Sequence, residues 1–226
     1  TKSVITGAYT LLKLCRFTGE KQISDYIEAV TKAYSDLLDK CSECGIGYIQ
    51  FDEPSLVQDM DNEDIELFKT LYTHILSSKN CKVLLQTYFG DVRDIYIELI
   101  KMDFDGIGLD FIEGRQTAAL VEEYGFPQEK TLFAGLINGK NIWKNNYART
   151  LSVLDTLKAK NIDVVLSTSC SLLHVPYTLE NETKLSPDIA AHFAFANEKL
   201  EEAAQLKKLA DCDDYKNDEA FVKNQK

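Results

Sequence analysis

An α/β architecture is the fold class this sequence predicts, and three observations carry the prediction. Short, near-continuous apolar runs recur along the chain, as expected of parallel strands buried on both faces. Each run is followed by a polar turn and then by an amphipathic stretch of helical period. Glycines or polar residues directly follow most of the runs, which gathers the loops at one end of a sheet. No G-x-G-x-x-G opens any of the helices. A (β/α)8 TIM-barrel type therefore accounts for the pattern better than a doubly wound sheet.

Taken in order, SVITG (Ser3 to Gly7) leads to a long helix around Ile23 to Glu43, stopped by Gly45. GYIQFDEP leads to NEDIELFKTLYTHILSS, where Asp61 or Asn62 can cap the helix. KVLLQTYFG precedes VRDIYIELIKM, and DGIGLDFIEG precedes TAALVEEYG. TLFAGLINGKN precedes NYARTLSVLDTLKAKN. Finally DVVLSTSCSLLHVP leads to a helix from about Pro187 to Leu209, with Ser186 as its cap and Pro187 in its first turn. That makes about six β/α units, two short of a barrel, so the expected barrel is incomplete. Residues 1–210 are expected to form the barrel segment, and 211–226 a polar linker or tail that supplies no strand.

The chain has 226 residues, 45% of them hydrophobic and 27% charged, enough for one domain with a real core. Lys+Arg of 25 against Asp+Glu of 36 gives a net charge of −11, which argues against nucleic acid or an anionic membrane surface as partners. The sequence has no apolar run of bilayer-spanning length and no signal-peptide pattern at its start. The six cysteines (Cys15, Cys41, Cys44, Cys81, Cys170 and Cys212) are scattered, so a reduced, cytoplasmic chain is expected. Cys41 and Cys44 form a C-x-x-C with no second pair at zinc-finger spacing, and are read as incidental thiols near a helix end.

Candidate chemistry sits at the strand ends. Asp52 and Glu53 follow an apolar strand, and being adjacent they point to opposite sides of it. At most one can face a barrel mouth, and the other caps a helix or pairs with a base. Two carboxylates acting together on a glycosidic bond would have to come from different strands, with Asp110 or Glu113 as the partner. The plainer alternative is that these carboxylates accept from backbone N–H groups of the next loop. Cys170 and His174 invite a nucleophile or metal reading. A metal needs three or four ligands, however, and the other histidines, His74 and His192, are read as lying within helices. Asn138, Asn141 and the only tryptophan, Trp143, fall in one strand-to-helix loop, and Tyr88 with Phe89 in another.

Taken together, ITGAYTLLKL, YIQFDEPSLV, LLQTYFG, AGLINGKNIWK and STSCSLLHVP, followed by LENETKLSPDI and FAFANEKLEEAAQL, resemble the N-terminal half of cobalamin-independent methionine synthase. The match in order and spacing runs from the first residues to about Leu209, and CSLLHVP with ETKL is its most specific part. The resemblance implies a protein with two face-to-face barrels that moves a methyl group from 5-methyltetrahydropteroyl-triglutamate to homocysteine, the thiol being bound to zinc. It also places that zinc in the C-terminal barrel, on a His-x-Cys, a Glu and a final Cys.

At the equivalent strand ends this chain carries Leu85, Gln86 and Thr87, then Asp110, then Cys170. The resemblance therefore implies no metal site and no cofactor in this chain, and makes Asp52 the counterpart of a homocysteine-binding aspartate. Asp52, Glu53, Tyr88, Asp110, Asn138, Asn141, Trp143, Cys170 and His174 are the residues expected to line the cleft. Nothing here resembles the family's opening GFPRIG-like strand, so the first two β/α units are expected to be the missing ones. The implied partners are those strands, the C-terminal barrel and the two substrates; alone, the open sheet is expected to self-associate. Two other readings remain at this level. One is a self-sufficient barrel hydrolase using Asp52 or Glu53 with Asp110, and the other a binding module for a pterin or an amino acid.

Overall fold

The structure is a computed structural model that describes residues 2–77, 79–212 and 214–225. Six strands alternate with helices: β1 (Lys2–Thr6), β2 (Tyr48–Asp52), β3 (Lys82–Gln86), β4 (Gly106–Asp110), β5 (Thr131–Ile137) and β6 (Asp163–Thr168). They form one parallel sheet in the order β1-β2-β3-β4-β5-β6. Sequential parallel order is what successive β/α crossovers of one hand produce, and it is the order of a barrel. The sheet is not closed: among the described residues β1 pairs only with β2, and β6 only with β5.

The helices are α1 (Ala8–Leu14), α2 (Ile27–Glu43), α3 (Asn62–Ser77), α4 (Tyr96–Lys101), α5 (Thr117–Tyr124), α6 (Tyr147–Ala159), α7 (Pro187–Ala190), α8 (Ala196–Ala210) and α9 (Glu219–Asn224). Strand alternation divides the side chains between two faces. Ile49, Phe51, Val83, Leu85, Ile107 and Leu109 point outward into the core shared with the helices, where Leu38, Phe68, Leu71 and Tyr72 meet them. The inner face carries Tyr48, Gln50, Asp52, Gln86, Asp110 and Phe133, with glycines between them. Gly106 is one place where a glycine is required, since a Cβ there would lie 2.8 Å from Phe133 Cε2. Val4 of β1 and Val165 of β6, at the two ends of this inner face, are 54% and 41% exposed.

Several expectations need correction. The sequence pattern places no helix between β1 and the long helix, and α1 occupies that stretch. That long helix begins as a 3-10 turn, Ile23–Tyr26, closed at its start by a bond from Gln22 N to Asp25 Oδ2 (2.8 Å), and becomes α-helical at Ile27. Gly45, at φ 71°, ends it as expected. Asp61 is the residue that caps α3, its Oδ1 accepting from Asp64 N at 2.9 Å.

The expected single helix from Pro187 to Leu209 is two helices, broken over residues 191–195 where Phe193 bridges to Trp143. His192 lies in that break and not in a helix. Ser186 precedes Pro187 but its side chain makes no cap bond. Within 211–226, the described residues form a 3-10 turn (Tyr215–Asn217) and α9. Tyr215 and Phe221 pack together and onto the core, and Asn224 bonds Asn145 O and Tyr147 N at the start of α6. All six cysteines are free thiols.

Candidate functional site

The carboxyl ends of the strands hold most of the polar groups named from sequence, and the two adjacent carboxylates part company there. Glu53 is fully buried. Its Oε1 accepts from Tyr9 N (2.9 Å) and from the Tyr72 hydroxyl, and its Oε2 from Thr10 N (2.7 Å). It thus caps the N-terminus of α1 from a different part of the chain, and burial pushes its carboxyl up to about 6. Asp52 turns the other way, into the open barrel. It accepts from Gln50 Nε2 (2.6 Å) and from the Tyr88 hydroxyl (3.4 Å). Burial raises its carboxyl above the ordinary range, while the Gln50 and Tyr88 bonds and the Lys2 ammonium pull it back down. Tyr88, partly buried beside that carboxylate, is itself pushed up to about 12.

Asp110 is 1% exposed and committed to the backbone. Its Oδ1 accepts from Ile112 N (2.7 Å) and Glu113 N (2.9 Å), and its Oδ2 from Phe89 N (3.0 Å). Those bonds hold two loops together and support Phe89 in its left-handed conformation, φ 75°. The Phe89 ring meets Tyr88 edge-on at 4.8 Å and His174 at 5.2 Å, and Lys140 Nζ lies 4.9 Å above it. Lys140 also pairs with Glu113 at 2.9 Å. A rim of Asp52, Tyr88, Phe89, His174, Lys140 and Glu113 therefore runs across the ends of β2 to β6.

Cys170 is buried, with its thiol pushed up to about 11 by desolvation. It packs against Gly139, where a Cβ would lie 2.8 Å from its sulfur. Asn138 shapes the β5–α6 loop, its Oδ1 accepting from Lys140 N (2.8 Å) and Asn141 N (2.9 Å). Asn141 Oδ1 accepts from Trp143 N (3.2 Å), and Trp143 is half-exposed with its ring 5.1 Å from Phe193.

The model of the cobalamin-independent synthase N-terminal domain matches residues 1–162. The chain belongs to that family. It is 51% identical over 207 residues to a 5-methyltetrahydropteroyltriglutamate–homocysteine methyltransferase of Lactococcus lactis subsp. lactis, covering 91% of this chain and 27% of the relative. A methyltransferase of the same name from Campylobacter jejuni subsp. doylei is 49% identical over 210 residues, covering 92% of this chain and 28% of the relative. The chain thus spans about a quarter of the length of these curated relatives. Among solved structures, the B12-independent methionine synthase of Shewanella sp. W3-18-1 in complex with selenomethionine aligns at TM-score 0.58 and 17% identity, over 92% of this chain and 62% of that one. At that identity the likeness speaks for the fold, a partial barrel, and for nothing more.

The strand ends of this cobalamin-independent synthase segment do not fit a metal. Leu85 is buried in the outward core, Gln86 Nε2 is turned to Thr87 O (2.8 Å), and Thr87 Oγ1 to Gly108 O (2.8 Å). Asp110 already accepts three backbone N–H groups. Cys170 is packed against Gly139, with no second thiol or imidazole from a neighbouring strand end gathered beside it among the described residues. Among the described residues no three His, Cys, Asp or Glu side chains gather as a metal-binding group. No described helix is long and apolar enough to cross a membrane.

Sequence reasoning missed two buried ionisable residues behind this rim, Lys199 and Glu202. A signal was present: Lys199, Glu202, Leu206 and Leu209 fall at helical spacing on one face of α8, in line with Phe195 just before its start, and all five are buried. Charged residues at two core positions of an amphipathic helix mark buried partners.

Proposed function

We propose that this chain is part of the N-terminal barrel of a cobalamin-independent methionine synthase, lining its substrate cleft while metal chemistry is supplied by another part of the protein. The reaction of that protein would move the methyl group of 5-methyltetrahydropteroyl-triglutamate to homocysteine. A sulfur–carbon bond forms as the nitrogen–methyl bond of the folate breaks. The electron pair stays on that nitrogen, which takes a proton. Any metal favouring the thiolate would be held by residues outside these strand ends, and what this chain would contribute is holding the two substrates together, which supplies much of the acceleration.

The observation that carries this reading is the family membership of a chain whose own strand-end donors are spent on its backbone. What the rim offers is a binding surface. Asp52 and Tyr88 form a hydrogen-bonding pair facing the barrel interior, and Trp143, Phe89 and His174 supply flat surfaces for a planar ring such as a pterin. A hydrolase using Asp52 with Asp110 is disfavoured, because Asp110 already accepts three backbone bonds and cannot turn to a water without breaking them.

The test is kinetic and uses the longer enzyme that contains this segment. Replacing Tyr88 or Trp143 by Ala is expected to raise the KM for the methyl-folate about tenfold, with a smaller effect on kcat, as loss of ground-state binding does. Unchanged kinetics in both variants would remove the cleft-lining role.

A further inference from the structure

Lys199 is one of the largest fully buried side chains of the molecule, 1% exposed, and no step proposed above uses it. Its Nζ donates to Trp143 O at 3.0 Å and to Asn141 Oδ1 at 3.4 Å. One turn further along α8, Glu202 Oε1 accepts from Asn145 N at 2.9 Å. A lysine and a glutamate three residues apart on one helix face thus grip residues 141, 143 and 145 of the β5–α6 loop. The same loop is held from its other side by backbone bonds, Lys144 N to His192 O (3.0 Å) and Ala194 N to Ile142 O (2.8 Å).

A buried ammonium is costly unless it is satisfied, and its natural counter-charge, Glu202, directs its bonded oxygen to the loop backbone. Glu202 Oε2 is buried with no hydrogen-bond partner among the described residues. A hydrocarbon side chain would fill the Lys199 position more cheaply, so the charge is explained by what it holds. It holds the carbonyl of Trp143 and the side chain that bonds the Trp143 N–H.

We propose that Lys199 is a positioning residue: from beneath α8 it fixes the β5–α6 loop, and with it Trp143 and Asn141, in the conformation that the cleft presents to its ligand. The groups facing it are Glu202 on its own helix and Cys170 at the end of β6. Burial lowers the Lys199 ammonium from the usual lysine value, so an alkaline titration reaches it early; the Cys170 thiol, pushed up to about 11, titrates in the same direction.

Trp143 is the only tryptophan of the chain, so a 5-fluorotryptophan label gives a single 19F resonance that reports the loop. In the 226-residue chain the resonance is expected to move as pH rises through a midpoint below 10.5, to keep that midpoint in Cys170→Ser, and to lose it in Lys199→Met. Should Lys199→Met not fold, Lys199→Gln keeps a polar donor, one bond shorter and without the charge, and is read the same way. A resonance with the same position and the same pH profile in wild type and variant overturns the proposal. The ligand arm rests on the function proposed above: Lys199→Met is expected to bind 5-methyltetrahydropteroyl-triglutamate about tenfold more weakly than wild type, the loss of one charge-assisted bond. The ligand arm is measured in the longer enzyme that contains this segment; if that wild type does not bind the folate, the proposed function fails, and the 19F titration still decides the role of Lys199.

Discussion

Glu53 turns a sequence that looks catalytic into a structural joint. Its carboxylate replaces the side-chain cap that Gly7 cannot give to α1, and it receives two backbone N–H groups and a phenol at no exposure. Glu53→Ala strands those donors in the core and is expected to cost about 3 kcal/mol or more, read as a fall in the urea midpoint. The pH dependence has a definite sign. Burial raises the carboxyl from 4.5 to about 6, so between those values the unfolded chain is ionised while the folded one keeps its proton. The stabilisation is fully present below pH 4.5 and is lost as pH rises through about 6. The window amounts to about 2 kcal/mol. Urea midpoints measured across it should fall with pH in the wild type by more than in Glu53→Gln, and parallel curves would assign the slope to other groups. Asp110, by contrast, is a loop organiser. Asp110→Asn places an amide N–H against one of three backbone donors and is expected to cost about 1–3 kcal/mol by the same assay.

At the scale of elements, a β/α unit is legible wherever an apolar run, a turn and a periodic stretch follow one another, and all six strands lie where those runs place them. The elements that escaped are short or interrupted. α1 has seven residues, too few for periodicity to show, and its start is capped by a residue 44 positions away. The break between α7 and α8 carries no proline or glycine; it exists because Phe193 pairs with Trp143 across the mouth. The inner sheet face is set by complementary sizes, with Gly106 making room for Phe133 and for Tyr48, whose rings meet at 6.2 Å. Gly106→Val overpacks this layer and is expected to destabilise the chain by about 1–3 kcal/mol, measured by thermal unfolding. A neutral result would mean that the open barrel lets Phe133 swing away.

The whole molecule is a sheet with barrel order and, among the described residues, two unpaired edges. Eight parallel strands close such a sheet and six do not. At the free edges Val4 and Val165 leave apolar surface on what would be a barrel interior, beside unpaired strand backbones. Further strands, if the proposed reading as a barrel segment holds, would cover these edges. The isolated 226-residue chain is expected to associate instead, giving light-scattering masses above the monomer at micromolar concentration, and Val4→Lys should reduce the effect. A monodisperse monomer would show that the edges are protected in another way.

Sequence alone determined the fold class, the order of the six strands, the family and the stretch that carries the polar rim. All of these depend on residues close together in the chain: side-chain period, turn chemistry and runs of specific phrases. Only the tertiary structure decided which of two adjacent carboxylates faces the cleft, that Asp110 is spent on backbone, and that a lysine is sealed under α8. Glu53 and Lys199 take their roles from partners far away in sequence, 44 residues for Glu53 and Tyr9 and 56 for Lys199 and Trp143. Asp110 combines two bonds to the loop that follows it, which the sequence allowed, with one to Phe89, 21 residues away. A buried charge takes its role from the donors or acceptors that the fold brings to it, and no local pattern states what those will be.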